Sequence, residues 1–161
     1  MLILLYVASD RALSQAPAAS GRLTVTGDVP HPLSLTIDDL RKMPRVTLKV
    51  TNPHEHKDET YEGVALTEVL RQAGVPQGSM LHGSAMATYV LAEAADGYRV
   101  IYSLAELDSD FQDSSVIVAD RVDGHALEAE AGPLRLVAPH DKRPARWVRM
   151  LQTIKVVRVT K

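Results

Sequence analysis

The sequence predicts an α+β domain in which mixed β-sheets carry a few short helices, and three observations predict it. Apolar and polar residues alternate with period two in several short runs, as half-buried strands require. One segment alone carries a full helical stripe, with apolar residues at Leu66, Val69, Leu70 and Ala73. Two boxes of hydroxyl and acid three residues apart, Thr36 with Asp39 and Ser103 with Glu106, announce two further helices of a turn or so. Continuous strand–helix alternation of the Rossmann kind is absent.

In chain order, Leu23-Thr-Val-Thr-Gly27 alternates and reads as a strand that Gly27 ends. Pro30-His-Pro32 turns into a short strand at Leu33–Leu35, after which the Thr36 box opens a helix through Lys42 that Pro44 stops. Val46-Thr-Leu-Lys-Val50 alternates again. Thr51 to Asp58 is polar, holds Pro53 and two histidines, and reads as a loop. The helix that begins at Leu66 finds its stop at Gly74. Met86–Ala92 and Tyr98–Tyr102 read as a hairpin about Asp96-Gly97, followed by a short Leu104–Leu107 helix. Val116-Ile-Val-Ala119 is a buried-type strand, Arg121–Gly124 a turn, and Leu134–Ala138 and Thr153–Val159 the closing strands.

Composition narrows the function classes. With 161 residues, 45% hydrophobic and 24% charged, the chain reads as one globular domain able to bury a continuous core. A net charge of −2 and only 4% aromatic residues argue against nucleic acid as a partner. There is no cysteine, hence no disulfide framework. No phosphate-binding glycine loop, dinucleotide fingerprint or Gly-x-Ser-x-Gly elbow occurs. Charge is nonetheless segregated: Glu93 to Glu130 holds ten acids against Arg99 and Arg121, while Pro133 to Lys161 holds eight Lys/Arg against Asp141 alone. A basic segment of this kind can seat an anion.

Residues 1–21 read as a signal peptide and linker, with the domain over residues 22–161. Met1-Leu-Ile-Leu-Leu-Tyr-Val-Ala8 is apolar and Ala16-Pro-Ala18 offers a small-residue cleavage site, so a periplasmic or secreted location is expected, with a cytoplasmic one as the alternative. The apolar run is too short to span a bilayer.

Six pieces of the chain stand in a familiar order. They are the opening strand with its following Pro-Leu and short helix, Val46-Thr-Leu-Lys-Val50, Tyr61-Glu-Gly63-Val64, Asp96-Gly97-Tyr98, Gly132-Pro-Leu-Arg-Leu-Val-Ala-Pro139, and Arg146-Trp147-Val148 before Ile154. Together they resemble the molybdopterin-binding domain of the sulfite oxidase family. The resemblance implies a sulfite-oxidase-like fold and a molybdopterin cofactor whose molybdenum is held by one cysteine thiolate. Val50 falls on that cysteine, or Thr51 if the register slips by one. Valine offers no lone pair, and a threonine hydroxyl is a poor ligand for a centre that favours a soft thiolate.

Around this position the resemblance implies a cofactor-binding set of Asn52, His54, His140, Lys142, Arg143 and Arg146. The stretch His140-Asp-Lys-Arg-Pro-Ala-Arg146 keeps a basic character suited to a pyrophosphate but lacks glycines for close backbone approach. No catalytic residue is assigned. His54 and His56 form a His-x-His pair that could ligate zinc or copper, although its spacing is generic. Trp147 reads as a core anchor. The expectation is therefore an exported, non-catalytic binding or accessory module on this fold, taking a pterin-type anion or a partner protein. An active molybdopterin-dependent oxidoreductase with an atypical metal environment is the alternative, and a His-loop metal binder the third reading.

Overall fold

The structure, a computed structural model, describes residues 21–52, 56–113 and 115–160. The expected N-terminal leader and His54 lie outside the described residues. Among the described residues ten strands form two sheets: β1 (Arg22–Gly27), β2 (Leu33–Thr36), β3 (Arg45–Asn52), β4 (Lys57–Ala65), β5 (Thr88–Ala94), β6 (Arg99–Ser103), β7 (Ile117–Val122), β8 (His125–Ala126), β9 (Arg135–Val137) and β10 (Leu151–Arg158). The first sheet runs β2-β1-β10-β5-β6, and only its β1–β10 pair is parallel. The second runs β3-β4-β7-β8, with β9 also paired to β7, all antiparallel. This is the mixed-sheet α+β architecture the sequence predicts.

The helices form where local chemistry asks for them. α1 (Ile37–Arg41) starts at a reciprocal capping box: the Asp39 N–H donates to the Thr36 hydroxyl at 3.1 Å, and the Thr36 N–H donates to the Asp39 carboxylate at 3.0 Å. α3 (Leu104–Leu107) repeats the device with Ser103 and Glu106. α2 (Leu66–Gln72) has no side-chain cap; the Leu66 N–H donates instead to the Val116 carbonyl, 2.8 Å away. Its stripe of Leu66, Val69, Leu70 and Ala73 is wholly buried, and Gly74 at φ +80° ends the helix.

A single apolar core joins the sheets, drawing Leu23 and Val25 from β1, Val90 and Ala92 from β5, Ile117–Ala119 from β7, and Ile154 and Val156 from β10. Gly63 on β4 marks where backbones press closest, since a Cβ there would lie 2.1 Å from the Val118 carbonyl oxygen. One charged knot pins α1 and β3 to β7. The buried Asp120 carboxylate accepts from Arg41 Nε at 3.2 Å and from the Arg45 guanidinium.

Several elements differ from the sequence reading; β7 runs through Arg121 and Val122, inside the expected turn, and pairs with the short β8. Within the stretch Thr51 to Asp58, read as a loop, β3 runs to Asn52 and β4 already starts at Lys57. Polar residues sustain the ladder by pairing across it: Lys49 Nζ lies 2.9 Å from Asp58, and the Thr51 hydroxyl donates to the same carboxylate at 2.9 Å. The expected Met86 strand begins only at Thr88, because a 3₁₀ turn occupies Gly83–Ala87.

Candidate functional site

One face of the β3–β4 hairpin carries the candidate chemistry. Cross-strand pairing puts Leu48 opposite Tyr61 and Val50 opposite Glu59, so these side chains share a face with Asn52. Val50 is 8% exposed. Beside it, Asn52 Nδ2 donates to Glu59 Oε1 at 2.9 Å, and the Tyr61 hydroxyl donates to Glu59 Oε2 at 2.8 Å. Burial first, and then the hydrogen bond to Glu59, pushes the Tyr61 phenol up to about 12.

The row continues into Arg135 on β9. Its Nη1 donates to the Tyr61 hydroxyl at 2.9 Å. Its guanidinium carbon lies 5.5 Å from the Tyr61 ring centroid and 5.4 Å from that of Trp147. The two rings meet edge to face, 6.0 Å apart at 86°. Trp147 is fixed in turn, with Nε1 donating to the Ala138 carbonyl at 2.8 Å. Arg135 forms no ion pair among the described residues, and its buried Nε has no hydrogen-bond partner there. Leaving such a donor unsatisfied costs about 1–3 kcal/mol.

Arg135 opens onto a pocket of about 390 Å³ that Asp96, Tyr98, Trp147, Arg149 and the Pro144–Ala145 segment also line. The Tyr98 hydroxyl donates to the Ala145 carbonyl at 2.5 Å and so fastens the 96–98 turn to that wall. Asp96 Oδ1 accepts the Tyr98 N–H at 2.9 Å.

The residues expected from the sequence distribute differently. Arg146 is engaged on several sides: Nε and Nη2 donate to Asp141 at 2.9 and 2.6 Å, and Nη1 donates to Glu106. Its guanidinium also stacks 4.6 Å over the Tyr102 ring. The hydrogen bonds to Asp141 and Glu106 raise its affinity for its proton well above the ordinary arginine value. Arg146 shares a pocket of about 240 Å³ with His140, Tyr102, Glu106 and Asp141, whose two carboxylates oppose a second anion. Lys142 and Arg143 are exposed and line neither of these two pockets, and Asn52 is held on the hairpin face. His56 is exposed at φ +51°, and no three His, Cys, Asp or Glu are placed to hold a metal among the described residues. No helix among them is long and apolar enough to cross a membrane.

Sequence reasoning missed Arg135, Tyr61, Tyr98 and Arg149 as a group. One signal was available: Arg135 interrupts the otherwise apolar run Leu134-Arg-Leu-Val-Ala138, whose neighbours Leu134, Leu136 and Val137 are all buried.

The two-sheet frame, with its Val-Thr-Leu hairpin and Gly-Pro-Leu-Arg strand, defines a sulfite-oxidase-like molybdopterin-binding fold. A solved structure, the sulfane dehydrogenase SoxCD from Paracoccus pantotrophus, superposes with a TM-score of 0.66 at 23% identity, covering 86% of this chain and 38% of that one. The "uncharacterized oxidoreductase YuiH" of Bacillus subtilis (strain 168) is 29% identical over 140 residues, which span 83% of this chain and 65% of the relative. The model of the oxidoreductase molybdopterin binding domain matches residues 12–161, and the chain belongs to that family.

The residues present do not fit a molybdenum centre at the position the resemblance implies. Val50 puts a buried isopropyl group where a thiolate would stand, and the chain has no cysteine. The polar residues that share its strand face, Asn52 and Glu59, are hydrogen-bonded to each other.

Proposed function

We propose that the protein is an exported binding module that uses the molybdopterin-binding oxidoreductase domain without metal-centred catalysis. Val50 carries this reading. Its side chain is buried in the apolar core, offers no donor atom, and lies opposite a carboxylate already hydrogen-bonded by Asn52 and Tyr61. Side chains that bind and orient a ligand remain nearby, in Arg135, Trp147, Tyr98 and Arg149. The apolar start at Met1–Ala8 and the Ala16-Pro-Ala18 site support export.

The test is to produce the chain in a bacterial host that makes molybdenum cofactor, then measure molybdenum by mass spectrometry and pterin by fluorescence after oxidation. The expected result is metal far below stoichiometry. Near-equimolar molybdenum and pterin would overturn the reading and favour an oxidoreductase with an unusual metal environment, which membership of the family keeps as the competing account. Cell fractionation checks export: the protein is expected in the periplasm, shortened by its leader.

A further inference from the structure

The binding-module reading can be given a ligand. Resting on it, we propose that the cleft between Tyr98, Arg135, Trp147 and Arg149 binds a small organic carboxylate with a flat apolar body. Charge comes first. Two guanidiniums line the cleft against one carboxylate, Asp96, and neither arginine has an ion-pair partner among the described residues. Asp96 is partly committed to its own turn through the Tyr98 N–H. Arg135 is moreover immobilised, clamped by two rings and bonded to the Tyr61 hydroxyl, so an incoming anion finds the cation already positioned.

Shape and lining set the rest of the ligand. Tyr98, Trp147 and the Pro144–Ala145 segment line the cleft, aromatic and apolar residues that favour a planar apolar body over a bare inorganic ion. A volume of about 390 Å³ suits one or two rings. Two other cavities have the opposite character: Glu106 and Asp141 line the pocket at Arg146, and Asp108 and Asp110 line another beside Gly78.

Trp147 is the chain's only tryptophan, so one indole N–H resonance reports on the cleft. Sodium benzoate titrated into the metal-free ¹⁵N-labelled protein is expected to shift that resonance saturably, while benzamide, its neutral counterpart, leaves it in place. Arg149→Ala should raise the half-saturating benzoate concentration at least about tenfold, the loss of one charge-assisted contact. Arg135→Met should abolish the response; should that variant fail to fold, the exposed Arg149 still carries the test.

No response to benzoate overturns the proposal. An equal response to benzamide does so too, because the cleft would then be an apolar slot without selectivity for charge. Sodium sulfate acting as well as benzoate overturns the organic class. The preceding reading is judged by metal content and this one by an indole shift in metal-free protein, so the failure of either is recognisable by itself.

Discussion

Arg135 on β9 and Arg146 in the 3₁₀ turn Pro144–Arg146 each lie against a tyrosine, yet their surroundings are opposite. Arg146 is neutralised by Asp141 and Glu106 and gives its face to Tyr102, whose hydroxyl closes on the Arg146 carbonyl. It works as a rivet between α3 and the turn before β10. Arg135 has rings and one hydroxyl for company, with the Glu59 carboxylate standing beyond that hydroxyl. A charge with its counter-ion supplied by the chain holds structure together. A positioned charge without one has binding capacity left over.

The strongest calibration of that contrast is Asp120, the counter-ion of Arg41 and Arg45. Asp120→Ala should destabilise the fold by about 2–3 kcal/mol, less than for a fully dry pair because both arginines are partly exposed. Urea titration reads it, and a loss below about 0.5 kcal/mol would remove the knot from the account. Arg146→Met comes next, expected to cost about 1–2 kcal/mol by stranding two carboxylates, or about 2–8 °C in Tm for a domain of this size. Arg135→Met should stay within about 1 kcal/mol of the parent, since it also removes an unsatisfied buried donor. If these two variants cost the same, the distinction between rivet and binding charge fails.

Tyr61 adds a pH signature to the Arg135 side. Its phenol is raised from 10.0 to about 12 in the folded protein, so the folded state holds the proton more tightly than the unfolded one. This contribution to stability is full below about pH 10 and lost as pH rises through about 12. Tyr61→Phe should flatten that part of the stability profile and remove the corresponding step in ultraviolet absorbance. The smallest effect belongs to Lys142→Ala with Arg143→Ala. Both side chains are exposed, and stability should move by no more than about 0.5 kcal/mol, with the Trp147 indole resonance unmoved.

What was legible in the sequence was local. The boxes at Thr36 and Ser103 and the α2 stripe each declare themselves within four to eight residues, because their energetics are settled within one or two turns. The start of β4 was not legible, since Lys57-Asp-Glu-Thr60 is too polar for a strand by composition and is held by partners on β3. The departure from a thiolate at Val50 could be read directly against the family pattern. The Arg135 cleft could not, because Tyr61 lies 74 residues away and meets Arg135 only when β4 and β9 both pair with β7. Arg146 drew attention through its basic neighbours, while Asp141 and Glu106, which occupy it, became visible only in three dimensions.

The parallel β1–β10 pair has a consequence for the order in which the molecule is made. Thr24 aligns with Thr153 and Val25 with Ile154, while β10 also pairs with β5 on its other edge. A nascent chain that has left the ribosome only as far as β9 therefore holds two hairpins, β1–β2 and β5–β6, whose facing edges have nothing between them. The first sheet is completed in one late event, when its central strand arrives. Truncation ahead of Leu151 would thus split that sheet in two, and the freed edges of β1 and β5 would be the first places for such fragments to associate.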